Sequence, residues 1–115
     1  MSDRTEKCVL IVTFDAKPGQ KEAFRQHLYT LVREMSAEPH FVNTIVHDDL
    51  DHPDRLVLYE IWAGNRDRWQ RDEPQKSYRK EYENGLSGLL AERTVQWMTP
   101  VAEWGSRLTS QAKDN

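Results

Sequence analysis

Apolar residues follow two different periodicities along the chain, and each periodicity predicts a different kind of element. Short runs rich in β-branched and aromatic residues at 8–14, 41–47, 56–62 and 93–98 predict four strands. Between the first and second runs, apolar residues recur at helical spacing, namely Phe24, Leu28, Leu31, Val32 and Met35. A second helical stripe lies between the third and fourth runs and comprises Tyr78, Tyr82, Leu86, Leu89 and Leu90.

Turn and capping residues separate these elements. Glu38-Pro39 ends the first helix, because a residue before proline is disfavoured in the α region, and Asn65 can cap the second helical region. The order β-α-β-β-α-β predicts an α+β, ferredoxin-like fold, in which both helices cover one face of an antiparallel sheet. We expect residues 1–104 to form this single domain and residues 105–115 to form a polar C-terminal tail.

The third strand is apolar on both of its faces. Alternate residues of a strand point to opposite faces, and here one face carries Leu56, Leu58 and Trp62 and the other carries Val57, Tyr59 and Ile61. The helices can cover only one face, and no further predicted helix is long enough to cover the second. A second copy of the same sheet is the simplest cover, so the pattern predicts a homodimer through the sheet face. It leaves open which face is the interface.

Composition and charge exclude several classes of protein. The chain has 16 basic and 19 acidic residues and a net charge of −3, so no overall positive field favours nucleic acid or an anionic membrane. No apolar run approaches the roughly 18 residues of a transmembrane helix, and the polar start of the chain is unlike a signal peptide. The single cysteine, Cys8, cannot form an internal disulfide. These features predict a cytoplasmic protein that binds neither nucleic acid nor membrane.

The sequence contains no recognisable cofactor or metal motif. It lacks a dinucleotide-type glycine fingerprint and a P-loop, and no two of its 4 histidines have the i, i+4 spacing of a helical metal site. The acidic stretch at 48–54 lacks the turn glycine and the terminal glutamate of an EF-hand loop. We therefore expect no metal site and no cofactor.

Several segments together resemble the antibiotic biosynthesis monooxygenase family, which includes quinol monooxygenases. The resemblance rests on the Pro-Gly pair that leads from the first strand into a helix, on the Glu38-Pro39 corner, and on the string VLYEIW at 57–62; it covers roughly residues 8–101. It implies a dimeric α/β barrel and, in several members, oxidation of phenols or quinols by O2 without metal or flavin.

Two departures from the family pattern bear on activity. His40 stands where the pattern has glycine after Glu-Pro, and the stretch 69–77 lacks the histidine that many members carry there. The related haem-degrading branch carries an asparagine on the first strand and a histidine on the second helix, whereas this chain has Val12 and Arg79 near those positions. The resemblance therefore disfavours haem degradation and leaves monooxygenase chemistry open.

Glu60 and His47 are the candidate catalytic residues. Glu60 shares a strand face with large apolar residues, so its burial would be costly unless it were paired, and burial would raise its pKa. A buried carboxylate suits a base or acceptor for a phenolic hydroxyl; the alternatives are a structural salt bridge to an arginine of the second helix, or an exposed position at the barrel edge. His47 ends the second strand, where it either faces the pocket as a base or is exposed.

Asn43, Trp62, Trp69 and Arg71 are the candidate substrate-binding residues. Trp62 closes the third strand and Trp69 lies on the following helix, so both either border a gap between the helices and the sheet or fill the core. Asn43 either orients a substrate oxygen or lies at the surface. Arg71 stands where the family often has histidine, and either holds an anionic group or belongs to a solvated face.

These candidates support two principal functions. The first is a cofactor-independent monooxygenase that oxidises a small aromatic, phenol or quinol with O2. The second is a non-catalytic dimeric α/β barrel that binds a small molecule; an isomerase of a small signalling sugar is a third interpretation, since relatives of the family include one. The absent histidines favour binding, whereas the combination of Glu60 with Trp62 and Trp69 favours oxidation.

Overall fold

The computed structural model describes residues 6–109, which contain four strands and three helices. The bounds of these elements are β1 Lys7–Ala16, α1 Lys21–Met35, β2 Phe41–Asp48, β3 Arg55–Ala63, α2 Arg66–Asp72, α3 Ser77–Asn84 and β4 Leu90–Met98. The four predicted strands and the predicted first helix are confirmed, although β4 begins earlier than expected. None of the helices within the described residues is long and apolar enough to cross a membrane.

The second helical region is divided, and its predicted apolar stripe is wrong beyond residue 84. Helix α3 ends at Asn84, Leu86 lies outside it, and Leu90 already belongs to β4. Gly85 and Gly88 explain this early end, because glycine lowers helix propensity by about 1 kcal/mol relative to alanine. The change of element brings β4 alongside β1 after only a short connection.

A buried carboxylate holds the corner between α2 and α3. Glu73, whose side chain is fully buried, lies 2.7 Å from Arg68 Nη1 and 3.1 Å from Lys76 Nζ. Arg68 belongs to α2 and Lys76 occupies the N-cap position of α3, so these ion pairs link the two helices. The Oδ1 atom of Asn65 caps α2, as predicted, by accepting the backbone N–H of Arg68 at 2.9 Å.

The strands form one sheet in the order β2-β3-β1-β4, and all neighbouring strands are antiparallel. β1 and β3 form its centre, where Val12 lies opposite Leu58. The edge strands β2 and β4 each have one neighbour. This order, with the succession of strands and helices along the chain, confirms the predicted ferredoxin-like α+β fold.

One face of the sheet and the helices enclose the hydrophobic core. The stripe of α1 packs here as predicted, with the ring of Phe24 lying 4.9 Å from that of Phe14 on β1. The apolar core residues are Cys8, Leu10, Val12, Phe14, Ala16, Phe24, Leu28, Leu31, Met35, Leu56, Leu58, Trp62, Tyr82 and Leu86. Only one of the two apolar faces of β3, the one that carries Trp62, therefore belongs to the core.

The other sheet face, which we call the uncovered face, carries no helix among residues 6–109. Val57 and Tyr59 of β3 are half-buried on this face and Ile45 of β2 is 44% exposed, whereas Val9 of β1 and its partner Ile61 of β3 are buried. The structure thus assigns the second apolar phase of β3 to the uncovered face. The helices therefore cover the face of β3 that carries Leu56, Leu58 and Trp62.

The segment 99–109 follows β4 without forming a helix or strand. The Glu103 carboxylate accepts hydrogen bonds from the backbone N–H of Leu108 at 2.6 Å and from the hydroxyl of Thr109 at 2.7 Å, so the chain turns back on itself. The predicted tail at 105–115 begins inside this turn. Its last six residues lie outside the described part of the chain.

Candidate functional site

A cavity of about 550 Å³ lies between the helix layer and the sheet, beside the edge strand β4. Leu10, Val12 and Phe14 of β1 form its floor, and Trp69 of α2 and Tyr82 of α3 contribute to the opposite wall. The lining is therefore mainly apolar and aromatic, with a small number of polar groups. This composition and volume are typical of a site for a small organic molecule.

Strand β4 forms the open side of this cavity. Its residues Arg93, Val95 and Trp97 pair with the three floor residues of β1 and point to the same side of the sheet. Val95 is 46% exposed although it lies on the helix-facing side, because the cavity separates it from the helices. Arg93 is held at the rim by Glu83, with N–O distances of 2.7 Å and 3.2 Å.

Glu60 is the buried carboxyl group of the cavity. It lies opposite Leu10 in the sheet and is 3% exposed, because the pleat of β3 directs its side chain toward the helices. Its Oε1 atom accepts a hydrogen bond from the indole N–H of Trp62 at 2.7 Å. Burial raises the pKa of Glu60, while the charge of Arg79 and the hydrogen bond from Trp62 act in the opposite direction.

Three tryptophans from three elements form a continuous row beside the carboxyl group. The ring centroids of Trp62 and Trp69 are 6.4 Å apart, and those of Trp69 and Trp97 are 5.3 Å apart. Both pairs have edge-to-face geometry, with interplanar angles of 77° and 73°. Trp62 is fully buried at the inner end of the row, whereas Trp69 and Trp97 line the cavity.

Arg79 of α3 covers this row. Its guanidinium carbon lies 4.8 Å from the ring centroid of Trp69 and 5.8 Å from that of Trp62. A cation over an indole face is stabilised by the ring quadrupole, which helps to explain why an arginine is tolerated beside a largely apolar cavity. Its Nε and Nη2 atoms are buried and have no hydrogen-bond partner.

Comparison with known proteins assigns the chain to a family. The sequence profile of a family described as antibiotic biosynthesis monooxygenase matches residues 8–81, which is more than half of the chain. The chain belongs to the antibiotic biosynthesis monooxygenase family. No curated protein matches it.

Solved structures share the fold of this family member. PA3566 from Pseudomonas aeruginosa is 22% identical, with a TM-score of 0.77 over 86% of this chain and 98% of its own. Rv0793 from Mycobacterium tuberculosis is 23% identical, with a TM-score of 0.73 over 86% and 99%. NE2512 from Nitrosomonas europaea, a protein of unknown function, is 17% identical, with a TM-score of 0.72 over 90% and 97%. At these identities the likeness shows the fold alone.

Within this family fold, five of the predicted site residues separate into two groups. Glu60 and Trp69 line the cavity, and the fully buried Trp62 lies behind them, in contact with both. Asn43 and His47, by contrast, lie on the uncovered face, paired with Ile61 and Val57. The two predicted catalytic residues, Glu60 and His47, are therefore on opposite sides of the sheet and cannot act on one ligand within a single protomer.

A β-bulge in β2 determines where Asn43 lies. The register shifts between Phe41 and Asn43, so these two residues point to opposite faces although they are two positions apart. The Oδ1 atom of Asn43 is buried without a hydrogen-bond partner, and His47 is exposed. A role for either residue therefore belongs to the uncovered face rather than to the cavity.

Arg71 lies at the surface, on the exposed side of α2. Its side chain is 66% exposed and pairs with the neighbouring Asp72 at 3.0 Å. It is not among the residues that line the cavity. Arg79 is the arginine of this region that lines the cavity. In the sequence it was singled out only because it lies near a histidine position of the haem-degrading branch.

Sequence reasoning also did not select Arg93, Val95 and Trp97 as site residues. All three lie at alternate positions of β4, so the period of two predicts that they share one sheet face. The alternation shows that the three residues share a face. It does not show whether that face of an edge strand packs against a helix or borders a cavity. Among residues 6–109, no three histidine, cysteine, aspartate or glutamate side chains are grouped so that they could hold a metal ion.

Proposed function

We propose that this family member is a cofactor-independent monooxygenase that oxidises a small phenol or quinol with O2 in the cavity beside β4. The observation that carries the proposal is the buried carboxyl group of Glu60, which has no ion-pair partner, at the wall of an aromatic-lined cavity. The proposal assigns Glu60 the role of base and assigns Trp69 and Trp97 the role of packing against the substrate ring.

The reaction needs no external electron donor. Loss of the phenolic proton makes the ring electron-rich, a ring carbon that bears hydrogen then forms a bond to O2, and the resulting hydroperoxide loses water to leave a carbonyl. One phenol and one O2 give one quinone and one water, so one oxygen atom enters the product. The protein has to supply a base, orientation of the ring and exclusion of bulk water.

The environment of Glu60 is suited to the role of base. A raised pKa brings a carboxylate nearer in basicity to a phenol, which makes proton transfer at neutral pH less unfavourable. Trp62 holds Oε1 in a fixed direction, which leaves the other carboxyl oxygen to accept the phenolic proton. The edge-to-face pair of Trp69 and Trp97 offers ring surfaces for an aromatic substrate.

Oxygen uptake tests this proposal. Metal-free, flavin-free protein is incubated in air with a panel of phenols and quinols, and oxygen consumption is followed with an electrode. We expect uptake with at least one compound, and we expect Glu60→Gln to slow it by roughly 10²–10⁴-fold, the usual contribution of a general base. Glu34→Gln, at an exposed position of α1, is the matched control. Full turnover by Glu60→Gln, or a requirement for flavin or iron, would contradict the proposal.

A non-catalytic binding protein is the second candidate, and one observation favours it. No histidine lies among the residues that line the cavity. A binding protein would show saturable binding of an aromatic compound with no oxygen uptake for any member of the panel. The same preparation therefore distinguishes the two functions when binding and oxygen consumption are measured side by side.

The proposal includes a homodimer formed through the uncovered face. The exposed and half-buried apolar residues there support it, because an apolar sheet face is rarely left in water. Sedimentation velocity should show a dimer, and Val57→Asp should weaken it and lower thermal stability, whereas Val57→Thr should do so far less. Ile61→Asp is a poorer test because Ile61 is already fully buried within the protomer. A monomer at every concentration would refute the dimer.

The expected location of the protein stays a prediction. It rests on the single cysteine, which gives the chain no internal disulfide. We place the reaction in the cytoplasm on this ground. Secretion of the natural protein into the medium would contradict that placement.

A further inference from the structure

Several buried polar atoms without partners belong to residues of the cavity wall. They are Trp69 Nε1, Arg79 Nε, Arg79 Nη2 and the Tyr82 hydroxyl oxygen. An indole N–H and a guanidinium N–H can donate but cannot accept hydrogen bonds. Because unsatisfied buried donors are costly, a ligand that fills this cavity is stabilised if it brings acceptor atoms to them.

Of the two arginines on the cavity wall, only Arg93 has a carboxylate in hydrogen-bond contact. Arg93 is neutralised by Glu83 through two hydrogen bonds. Arg79 lies on the wall without a carboxylate in hydrogen-bond contact with its Nε and Nη2 atoms. Glu60 also lies on the wall, where its Oε1 atom accepts the indole N–H of Trp62 and no ion pair joins it to Arg79. A ligand that brings an anionic acceptor group to the guanidinium of Arg79 is therefore favoured.

The two free nitrogens of Arg79 have a specific geometry. Nε and Nη2 lie on the same edge of the planar guanidinium, and their N–H bonds are nearly parallel. This edge matches the two oxygens of a carboxylate, which it can bind through two hydrogen bonds at once. A neutral quinol hydroxyl supplies only one oxygen to the same edge.

We infer that the ligand of this cavity is a planar aromatic molecule that bears a carboxylate, and that Arg79 binds this carboxylate through Nε and Nη2. The inference rests on the proposed function and narrows its substrate class from phenols and quinols in general to those that also bear a carboxylate. Trp69 both stacks with the guanidinium and borders the cavity, so the carboxylate and the ring of one ligand can be engaged together.

Calorimetric titration with two matched probes tests this inference. The probes are 2-naphthoate and 2-naphthamide, which share ring and shape but differ in charge, and the titrations are made without oxygen. Wild-type protein should bind 2-naphthoate roughly tenfold to a hundredfold more tightly, as expected for charge-assisted hydrogen bonds. Arg79→Gln should lose this preference. Arg33→Gln, at an exposed position near the end of α1, should keep it.

Three outcomes would overturn the inference. They are equal binding of both probes by wild-type protein, a preference that survives in Arg79→Gln, and a preference that is lost in Arg71→Gln instead. If circular dichroism shows that Arg79→Gln does not fold, Arg79→Lys replaces it; this variant keeps the charge but lacks the two-nitrogen edge, so it should bind 2-naphthoate more weakly than wild type.

These results are separable from the proposed function. Neither probe carries a hydroxyl group and no oxygen is present, so binding is measured without turnover. A preference for 2-naphthoate without oxygen uptake from any phenol contradicts the monooxygenase proposal alone. Oxygen uptake without a preference for 2-naphthoate contradicts the carboxylate inference alone.

Discussion

Replacement of Glu60 by glutamine should change how the stability of the protein depends on pH. Burial holds the pKa of Glu60 in the folded protein above its ordinary value of 4.5, which applies to the unfolded chain. At a pH between these two pKa values, Glu60 is protonated in the folded protein and ionised in the unfolded chain. Between these two pKa values the free energy of unfolding of the wild type falls as pH rises, and above the folded pKa the loss is complete. Each unit of elevation corresponds to about 1.4 kcal/mol.

Glutamine removes this penalty without removing the main contact. Its side-chain carbonyl can still accept the indole N–H of Trp62, whose hydrogen bond to Glu60 is 2.7 Å long. We therefore expect Glu60→Gln to be at least as stable as wild type at neutral pH, and its advantage to shrink as the pH falls toward about 4.5. This direction differs from that of a structural ion pair, whose loss would lower stability.

Urea unfolding, followed by tryptophan fluorescence at several pH values between about 4 and about 8, measures this effect. Glu34→Gln serves as the exposed control and should change the free energy of unfolding by no more than roughly 0.5 kcal/mol. A Glu60→Gln protein that is less stable than wild type at neutral pH, and more so as pH rises, would refute the reasoning and indicate that Glu60 is charged and paired.

Two further predictions concern the helices that cover the cavity. Glu73→Gln should lower the free energy of unfolding by roughly 1.5–3 kcal/mol, because it removes the buried charge that binds the partly buried Arg68 and Lys76, whereas Asp72→Asn at the surface should cost no more than roughly 1 kcal/mol; equal effects in thermal melts would contradict this. Gly85→Ala should cost roughly 0.5–1.5 kcal/mol relative to Gly88→Ala, because its Cβ would lie 2.7 Å from His27 and displace that ring from its hydrogen bond, whereas Gly88 has open space; a stabilised Gly85→Ala protein would show that the ring moves freely.

The fold was largely predictable from the sequence because its determinants are local. Strand alternation and the stripe of α1 identify which residues are buried, and the antiparallel order follows from the succession of elements. Burial of Glu60 was one of the alternatives that the sequence left open, because Glu60 shares a strand face with Leu58 and Trp62, and the structure shows it to be buried. Strand alternation cannot specify which of the two apolar faces of β3 the helices cover.

The site was less predictable because it depends on irregular features. The bulge beside Asn43 places that residue on the uncovered face, and nothing in the sequence FVNTIVH at 41–47 indicates a bulge there. The cavity exists because β4 stands apart from the helices, which depends on the early end of α3 and on the corner at Glu73. Arg71 and Arg79 are equivalent in sequence terms, and only the packing of α2 and α3 decides that Arg79 faces the tryptophans.

The crystal structure of the protein in complex with 2-naphthoate tests most directly whether the cavity beside β4 is the ligand site. We expect the naphthalene ring to lie against Trp69 and Trp97, and the carboxylate to lie within hydrogen-bond distance of Arg79 Nε and Nη2. Binding of the probe at the uncovered face, in contact with Asn43 or His47, would contradict this account and move the candidate chemistry to the other side of the sheet.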